Sequence, residues 1–192
     1  MQSKWRESMR RRYVCKRVAG PINIGAGEPD PAWSTLSWSD TFVDITGDDA
    51  LHPRFDTRVR LGWDDSFLYV GAELEEPHVW GTITEKNAVM FEDNDFEIFI
   101  DTDRDGLNYY EFEINALGTI YEVLFIWDAA YEKVDYAREP VLRKEHAQAI
   151  AFNGVGFNNH PRGKRTGFWG FDFPGLQWAV QVDGTLNLSL IH

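Results

Sequence analysis

The sequence has a single cysteine, Cys15, among 192 residues. One cysteine cannot form an internal disulfide, and it lacks the partners that a cysteine metal cluster needs. No run of about 18 apolar residues occurs, so no segment predicts a membrane-spanning helix. The charged start of the chain has no apolar stretch typical of a signal peptide. The compartment therefore stays unknown.

Catalytic motifs are also missing. The five histidines are scattered and form no HExxH pair, which excludes the commonest zinc-protease signature. No Ser–His–Asp order can be argued, and Arg162-Gly-Lys-Arg is not a phosphate-binding loop. Acids two positions apart on a strand, such as Glu111 and Glu113, are common, so no single pair identifies a glycosidase.

Charge divides the chain into two parts. The first 17 residues carry +6 and the remainder carries −18, for a net charge of −12. An acidic body repels phosphate backbones, so we expect no nucleic-acid partner for the folded part. We predict a flexible basic segment at residues 1–17 and one domain at 18–192. Contact of the basic segment with anionic lipid or RNA stays open.

The rest of the chain is typical of an all-β protein. Aromatic residues make up 15%, no amphipathic helix is evident, and short strands alternate with turn residues. This pattern predicts an antiparallel β-sandwich, immunoglobulin-like or jelly-roll-like. The predicted strands are Val18–Ile24, Thr41–Ile45, Thr57–Trp63, Phe67–Leu74, Trp80–Thr84, Asp95–Asp101, Tyr109–Asn115, Thr119–Ile126 and Leu176–Val182. Asp64 predicts a hairpin turn between two of them.

Residues 139–173 have no periodicity and are rich in glycine, asparagine and basic residues. We predict a long loop there. Two interpretations stay open, a lid over a site and a disordered insert.

Alternation along two neighbouring strands predicts one apolar and one polar face. The polar face carries Asp95, Glu97, Phe99, Asp101, Tyr109, Glu111, Glu113 and Asn115. Carboxylates and amides accept hydrogen bonds from sugar hydroxyls, while aromatic rings such as Trp80 and Phe91 stack on the apolar face of a sugar ring. The alternative is a solvated surface on which Arg58 and Arg60 pair with the glutamates.

The link between these strands contains Asp101, Asp103 and Asp105, followed by a glycine. Oxygens at alternate positions resemble the first half of a calcium loop. The closing glutamate of an EF-hand is absent and the flanks are strands, so an EF-hand is excluded. A looser Ca²⁺ site and a plain Asp-Gly hairpin turn both stay open. No cofactor is required, and calcium is the candidate.

Four segments in order resemble the family 9 carbohydrate-binding modules and their bacterial relatives. They begin at Pro21, Val59, Asn94 and Tyr109, and read PINIG…DPAW, VRLGWDDSFLYV, NDFEIFID and YYEFEIN. The resemblance extends from about Tyr13 to Asn187. It implies a β-sandwich that binds sugar, often at glycan ends, and that commonly accompanies exported glycoside hydrolases.

The resemblance also implies site residues. The first of two sugar-stacking tryptophans falls on Phe91, the sugar-binding glutamate falls on Glu97, and a basic residue falls on Glu113. The second tryptophan belongs to a C-terminal part that this chain lacks. We therefore expect a sandwich that is incomplete at its C-terminus and self-associates through an open sheet edge.

The sequence thus predicts a non-catalytic module that binds a glycan in carbohydrate catabolism. Its candidate carbohydrate-binding residues are Phe91, Glu97, Trp80, Glu113 and Asn115. The first alternative is a glycosidase that acts on O-glycosyl bonds through acids of the Glu97/Glu113 face. The second is a structural or interaction domain whose sugar binding has decayed.

Overall fold

The computed structural model describes residues 11–25, 27–45, 51–133, 142, 162–169 and 172–186. The chain divides into two compact units, Met1–Pro77 and His78–His192. The predicted all-β class is confirmed, because the described residues form two sheets with little helix, consistent with a β-sandwich. Among the described helices, none has the length and apolar character needed to cross a membrane.

The first unit contains a three-stranded sheet. β1 (Lys16–Arg17) runs parallel to β2 (Thr57–Trp63), and β2 pairs antiparallel with β3 (Leu68–Leu74). The predicted turn at Asp64 joins β2 to β3. Its Oδ1 accepts hydrogen bonds from the amides two and three residues later, at 2.7 and 2.8 Å. These bonds fix the hairpin and hence the register of the two strands.

Trp33 lies at the centre of the core of the first unit. It belongs to a 3-10 helix, Pro31–Thr35, whose start is capped by Asp30 through a 2.9 Å hydrogen bond from the amide of Ala32. The Trp33 ring packs so closely on Gly71 of β3 that a Cβ there would lie 3.0 Å from the ring. The buried core residues of this unit are Val18, Ile22, Trp33, Leu36 and Tyr69.

The second unit contains a four-stranded antiparallel sheet in sequential order. Its strands are β4 (Asp95–Ile100), β5 (Asn108–Asn115), β6 (Ile120–Trp127) and β7 (Arg165–Phe168). A short α-helix, Asp128–Lys133, follows β6. Strands β2 to β6 agree with the predicted strands to within one residue at each end. One face of this sheet packs into a core of Leu107, Leu124, Ile126, Ala130 and Phe168.

One acid, Glu122, lies on the apolar side of this sheet and is 4% exposed. Its carboxylate forms an ion pair with Lys86 and accepts a hydrogen bond from the amide of Phe173 at 3.1 Å. The Phe173 ring makes edge contacts with Tyr110 and Phe112, at centroid distances of 4.8 and 5.2 Å. The buried charge of Glu122 is thus neutralised by its own counter-ion.

Four predicted strands are wrong, because Val18–Ile24, Thr41–Ile45, Trp80–Thr84 and Leu176–Val182 are irregular in the structure. Pro21 removes an amide donor from the first of them. In the third, the amides of Thr82 and Ile83 donate to the carboxylate of Asp93 instead of to a neighbouring strand. Apolar content alone could not distinguish a buried irregular segment from a strand.

The predicted loop at 139–173 contains a strand, since Arg165–Phe168 form β7 beside β6. Residues 134–141, 143–161 and 170–171 lie outside the described residues, so the lid and disorder interpretations both stay untested. Residues 1–10 of the predicted flexible segment also lie outside them, while Lys16–Arg17 form β1. The prediction of an incomplete C-terminus stays a prediction.

Asp93 connects three parts of the second unit and is 5% exposed. Its Oδ2 accepts hydrogen bonds from the amides of Thr82 and Ile83 at 2.8 and 2.9 Å, and from Nδ2 of Asn115 at 2.8 Å. Burial raises the pKa of Asp93, but the hydrogen bonds from the two amides and from Asn115 outweigh it, so the net pKa lies below the ordinary value. The carboxylate therefore fixes the 82–83 loop to the end of β5.

We expect Asp93→Ala to destabilise the protein by at least about 2 kcal/mol, because each buried donor left without an acceptor costs about 1–3 kcal/mol. Urea unfolding followed by tryptophan fluorescence measures the change. The control is Asp183→Ala at an exposed position of the same unit, where we expect a change within about 0.5 kcal/mol. Equal effects of the two substitutions would contradict the role of Asp93.

Candidate functional site

The second face of the β4–β7 sheet carries acids and rings. Residues directly opposite each other in register share a face. The register pairs Glu97 with Glu113 and Phe99 with Glu111, which confirms the faces predicted by alternation. We call this surface the acidic face. Its charged and aromatic members are Asp95, Glu97, Phe99, Tyr109, Glu111, Glu113, Tyr121, Phe125, Trp127 and Arg165.

Four carboxyl groups crowd the β4–β5 half of the acidic face. Glu113 and Glu111 are only 6% and 8% exposed, whereas Asp95 is half-buried and Glu97 is exposed. One carboxylate oxygen from each of Asp95, Glu97 and Glu113 lies within 4.8 Å of the other two. We call these three residues the acidic trio.

Burial raises the pKa of Glu113 to about 9, with added contributions from its contact with Glu111 and from the charges of Glu111, Asp95 and Glu97. Burial, assisted by the charge of Glu97, also raises the pKa of Asp95 to about 6. Burial raises the pKa of Glu111 as well, although Glu113 and Arg165 oppose it. Without a bound cation, Glu113 therefore holds a proton at neutral pH.

Three buried oxygens of these acids accept no hydrogen bond from the residues that the structure describes. They are Oδ2 of Asp95, Oε2 of Glu111 and Oε2 of Glu113. A buried polar atom without a partner costs about 1–3 kcal/mol, so most such atoms in proteins meet a donor, a water or an ion. These oxygens can therefore accept a hydrogen bond from water or from a ligand, or contact an ion.

Aromatic rings lie beside these acids on the acidic face. Tyr109 lies between Phe99 and Phe125, at centroid distances of 5.9 and 5.5 Å. The guanidinium of Arg165 stands 3.9 Å above the Phe125 ring and donates a hydrogen bond to the Tyr109 hydroxyl. Phe99 is 55% exposed and lies two residues from Glu97 on the same face of β4. A carboxylate and an accessible ring are thus neighbours.

Phe91 and Trp80 lie on connections rather than on the sheet. Phe91 is in the 3-10 helix Met90–Glu92, where Met90 is buried and Phe91 is 54% exposed. That helix contacts β5. Trp80 is half-buried and lies just before the loop that Asp93 fixes.

Asn115 is 1% exposed. Its Nδ2 donates to the carbonyl of Ile83 at 2.9 Å and to Asp93, and its Oδ1 accepts from the amides of Leu117 and Thr119 at 3.1 and 3.0 Å. These contacts hold the turn after β5 and the neighbouring loop in place. The described hydrogen bonds of the Asn115 side chain are all to other residues of the second unit. Sugar contact by Asn115 stays a prediction.

The predicted metal ligands Asp101, Asp103 and Asp105 lie together in the hairpin between β4 and β5. Their carboxylates accept hydrogen bonds from backbone amides of the same turn. Asp101 accepts from Arg104 and Gly106 at 2.8 and 2.9 Å, and Asp105 accepts from Leu107 at 2.7 Å. The turn geometry accounts for these contacts, and calcium binding there stays a prediction.

Sequence reasoning did not select Asp95, Phe99 or Arg165 as site residues. Parity had placed Asp95 and Phe99 on the polar face, but neighbouring strands were needed to bring Asp95 next to Glu113. Arg165 lies in β7, which has only four residues and falls inside the segment predicted as a loop. The alternation along so short a strand is a weak sequence signal. Arg58 and Arg60 have their described partners in the first unit, on Glu73 and on the carbonyl of Trp33.

Comparison with known proteins agrees with the resemblance read from the sequence. The family model described as "Carbohydrate family 9 binding domain-like" matches residues 24–168, about three quarters of the chain. These residues include β2 to β6 and all of β7.

Two curated relatives match a shorter part of the chain. Endo-1,4-beta-xylanase C of Paenibacillus barcinonensis is 31% identical over 85 residues, which is 44% of this chain and 7% of that protein. Endo-1,4-beta-xylanase A of Thermotoga maritima is 32% identical over 85 residues, 44% of this chain and 8% of that protein. The match thus covers less than a tenth of either relative's length. No solved structure gives a significant match.

The raised pKa values predict an unusual dependence of stability on pH. The folded chain holds protons on Asp95 and Glu113 that the unfolded chain releases near pH 4 to 4.5. Folding therefore binds protons between about pH 4.5 and 9, and the contribution of these groups to the free energy of unfolding falls as pH rises through that window.

The free energy of unfolding is measured by urea unfolding at pH 5 and at pH 8.5, with a chelator present. We expect Glu113→Gln to reduce the difference between the two values by at least about 1.4 kcal/mol, which corresponds to one pKa unit. Glutamine cannot titrate and resembles the protonated acid in shape. Glu92→Gln, at an exposed position, is the matched control and should follow the parent. If parent and Glu113→Gln show the same difference between the two pH values, Glu113 titrates as an ordinary acid.

Proposed function

Because the chain belongs to the family described as carbohydrate family 9 binding domain-like, we propose that it is a non-catalytic module that binds carbohydrate on the acidic face. The observation that carries this proposal is the exposed carboxylate of Glu97 beside the exposed ring of Phe99. Buried Glu113 lies directly opposite Glu97 in register, and we propose it as the floor of this site.

The chemistry of this pair suits a sugar. Hydroxyl groups donate hydrogen bonds to a carboxylate, and the apolar side of a sugar ring stacks on an aromatic face. Phe91, 54% exposed on a helix that contacts β5, provides a second ring. We propose Glu97 as the residue that orients the sugar, and the two phenylalanines and Trp80 as stacking surfaces.

The two curated relatives are named as xylanases, so we propose a β-linked plant polysaccharide such as xylan as the ligand class and polysaccharide breakdown as the setting. In that setting a module without catalytic activity raises the local concentration of its partner enzyme on the polymer. Self-association through an exposed strand edge such as that of β3 is an additional proposal that the sugar site does not require.

A glycosidase is the second candidate, because oxygens of Glu97 and Glu113 lie within 4.8 Å of each other and Glu113 has a raised pKa. A retaining glycosidase places its two carboxyl groups about 5–5.5 Å apart on opposite sides of the scissile bond. Here the two acids stand side by side on adjacent strands and one is buried, which favours binding over catalysis. The third candidate is an interaction domain without sugar binding.

We expect Phe91→Ala and Glu97→Gln each to weaken xylo-oligosaccharide binding about tenfold or more. Ring stacking contributes about 0.5–1.5 kcal/mol beyond area burial, and a hydrogen bond to a charged group contributes about 1.5–3 kcal/mol. About 1.4 kcal/mol corresponds to a tenfold change in Kd. Isothermal titration calorimetry measures the affinity, with cello-oligosaccharides as a second ligand series.

Two substitutions at exposed positions serve as controls. Phe42→Ala removes a ring that is 43% exposed in the first unit, and Glu92→Gln removes a nearby exposed acid. Both should bind like the parent. If Phe91→Ala and Glu97→Gln also bind like the parent while staying folded, the sugar site lies elsewhere.

We also expect the purified chain to release no reducing sugar from xylan or aryl glycosides. Steady hydrolysis that disappears in both Glu97→Gln and Glu113→Gln would establish the glycosidase instead. Hydrolysis that survives both substitutions would indicate a contaminating enzyme.

A further inference from the structure

We propose that Asp95, Glu97 and Glu113 together bind one divalent cation of the size of calcium. This site lies on the sheet face, and it is separate from the aspartates of the β4–β5 hairpin. The inference goes beyond sugar binding, and its test contains no sugar.

Geometry is the first argument. Calcium binds carboxylate oxygens at about 2.3–2.6 Å, so two oxygens on opposite sides of one ion lie up to about 5 Å apart. The three oxygens of the acidic trio all lie within 4.8 Å of one another. A single ion placed among these oxygens can therefore reach all three carboxylates after small side-chain movements. Magnesium has shorter contacts of about 2.0–2.1 Å and demands a near-ideal octahedral geometry, whereas calcium accepts irregular sets of oxygen ligands.

Two oxygens of the acidic trio are also buried without a hydrogen-bond partner among the described residues. Glu113 is 6% exposed, and its Oε2 accepts no hydrogen bond from the residues that the structure describes. The same holds for the buried Oδ2 of Asp95. The close contacts of Glu113 with Asp95 and Glu111 become hydrogen bonds only if one partner carries a proton. Either a proton or a cation must therefore occupy the space between these acids.

The charges around the acidic trio also favour a cation. Asp95, Glu97, Glu111 and Glu113 stand on one half of the acidic face, and Arg165 is the cation in the described part of that face. Arg165 lies on β7, at the other end of the sheet order from β4. Its guanidinium stacks on Phe125 and donates to Tyr109. A cation bound from solvent is thus the direct means of neutralising the trio.

The hairpin aspartates provide a useful contrast. They have the same number of carboxylates within the same spacing, but their oxygens accept hydrogen bonds from amides of their own turn. The hairpin carboxylates thus have hydrogen-bond donors without a metal. In the trio, exposed Glu97 gives an ion a route from solvent and leaves coordination positions that water can fill.

The test titrates CaCl2 into the parent and three variants by calorimetry and thermal melting at pH 7.5. The first variant replaces Asp101, Asp103 and Asp105 by asparagine, which removes the hairpin carboxylates. Glu97→Gln, made at an exposed position, and Glu113→Gln are then added separately to that background. Circular dichroism checks that each variant is folded.

We expect the hairpin variant to keep one calcium site and a calcium-dependent rise in Tm, since a ligand of the folded state stabilises it. Adding either glutamine should weaken calcium binding at least about tenfold. Loss of binding in the hairpin variant alone would assign calcium to the hairpin and overturn the proposal. No calcium effect on any protein, including the parent, would mean that a proton occupies the trio, which also overturns it. Sugar binding by the parent is measured separately, so failure of one proposal leaves the other standing.

Discussion

The antiparallel register of β5 between β4 and β6 is the constraint on which the candidate site depends. Side chains alternate along a strand, so a slip of one residue would exchange the apolar and acidic faces of β5. The observed register places Glu113 between Glu97 on one side and Tyr121 on the other. Burial of Phe112 and Leu124 on the opposite face makes any other register costly. The core thus enforces the crowding of carboxylates that the acidic face shows.

Burial of a charged carboxylate is unfavourable. The buried acids on the two faces of the sheet differ in what compensates their charge. Glu122 on the apolar face is buried but has Lys86 as its counter-ion. Glu113 on the acidic face is almost as buried, and among the described residues the charged groups that raise its pKa are acids. A protein retains such a group only if something compensates it, whether a proton, a cation or a bound ligand. The described residues thus balance the buried charge of Glu122 but place only further acids around Glu113.

Much of the second unit could be predicted from local pattern. Alternation identified β4, β5 and β6 and assigned Glu97, Glu111 and Glu113 to one face, because these strands are long and regular. The burial of individual side chains could not be predicted in the same way. Parity states which side Glu113 faces, but its burial depends on neighbours in β4 and β6. β7 was missed because four residues have too short a pattern to reveal a strand.

The hydrogen bonds of Asn115 could not be predicted from the sequence pattern. The sequence places it on the polar face beside the glutamates, where an amide suits a sugar hydroxyl. In the structure its amide bonds to Ile83, 32 residues away, and to Asp93. No local pattern predicts such a contact, because a loop must fold back to provide it. The resemblance implies a basic residue at the position of Glu113, and its replacement by an acid changes the character of the site. Among the described residues, the charged groups that act on Glu113 are themselves acids.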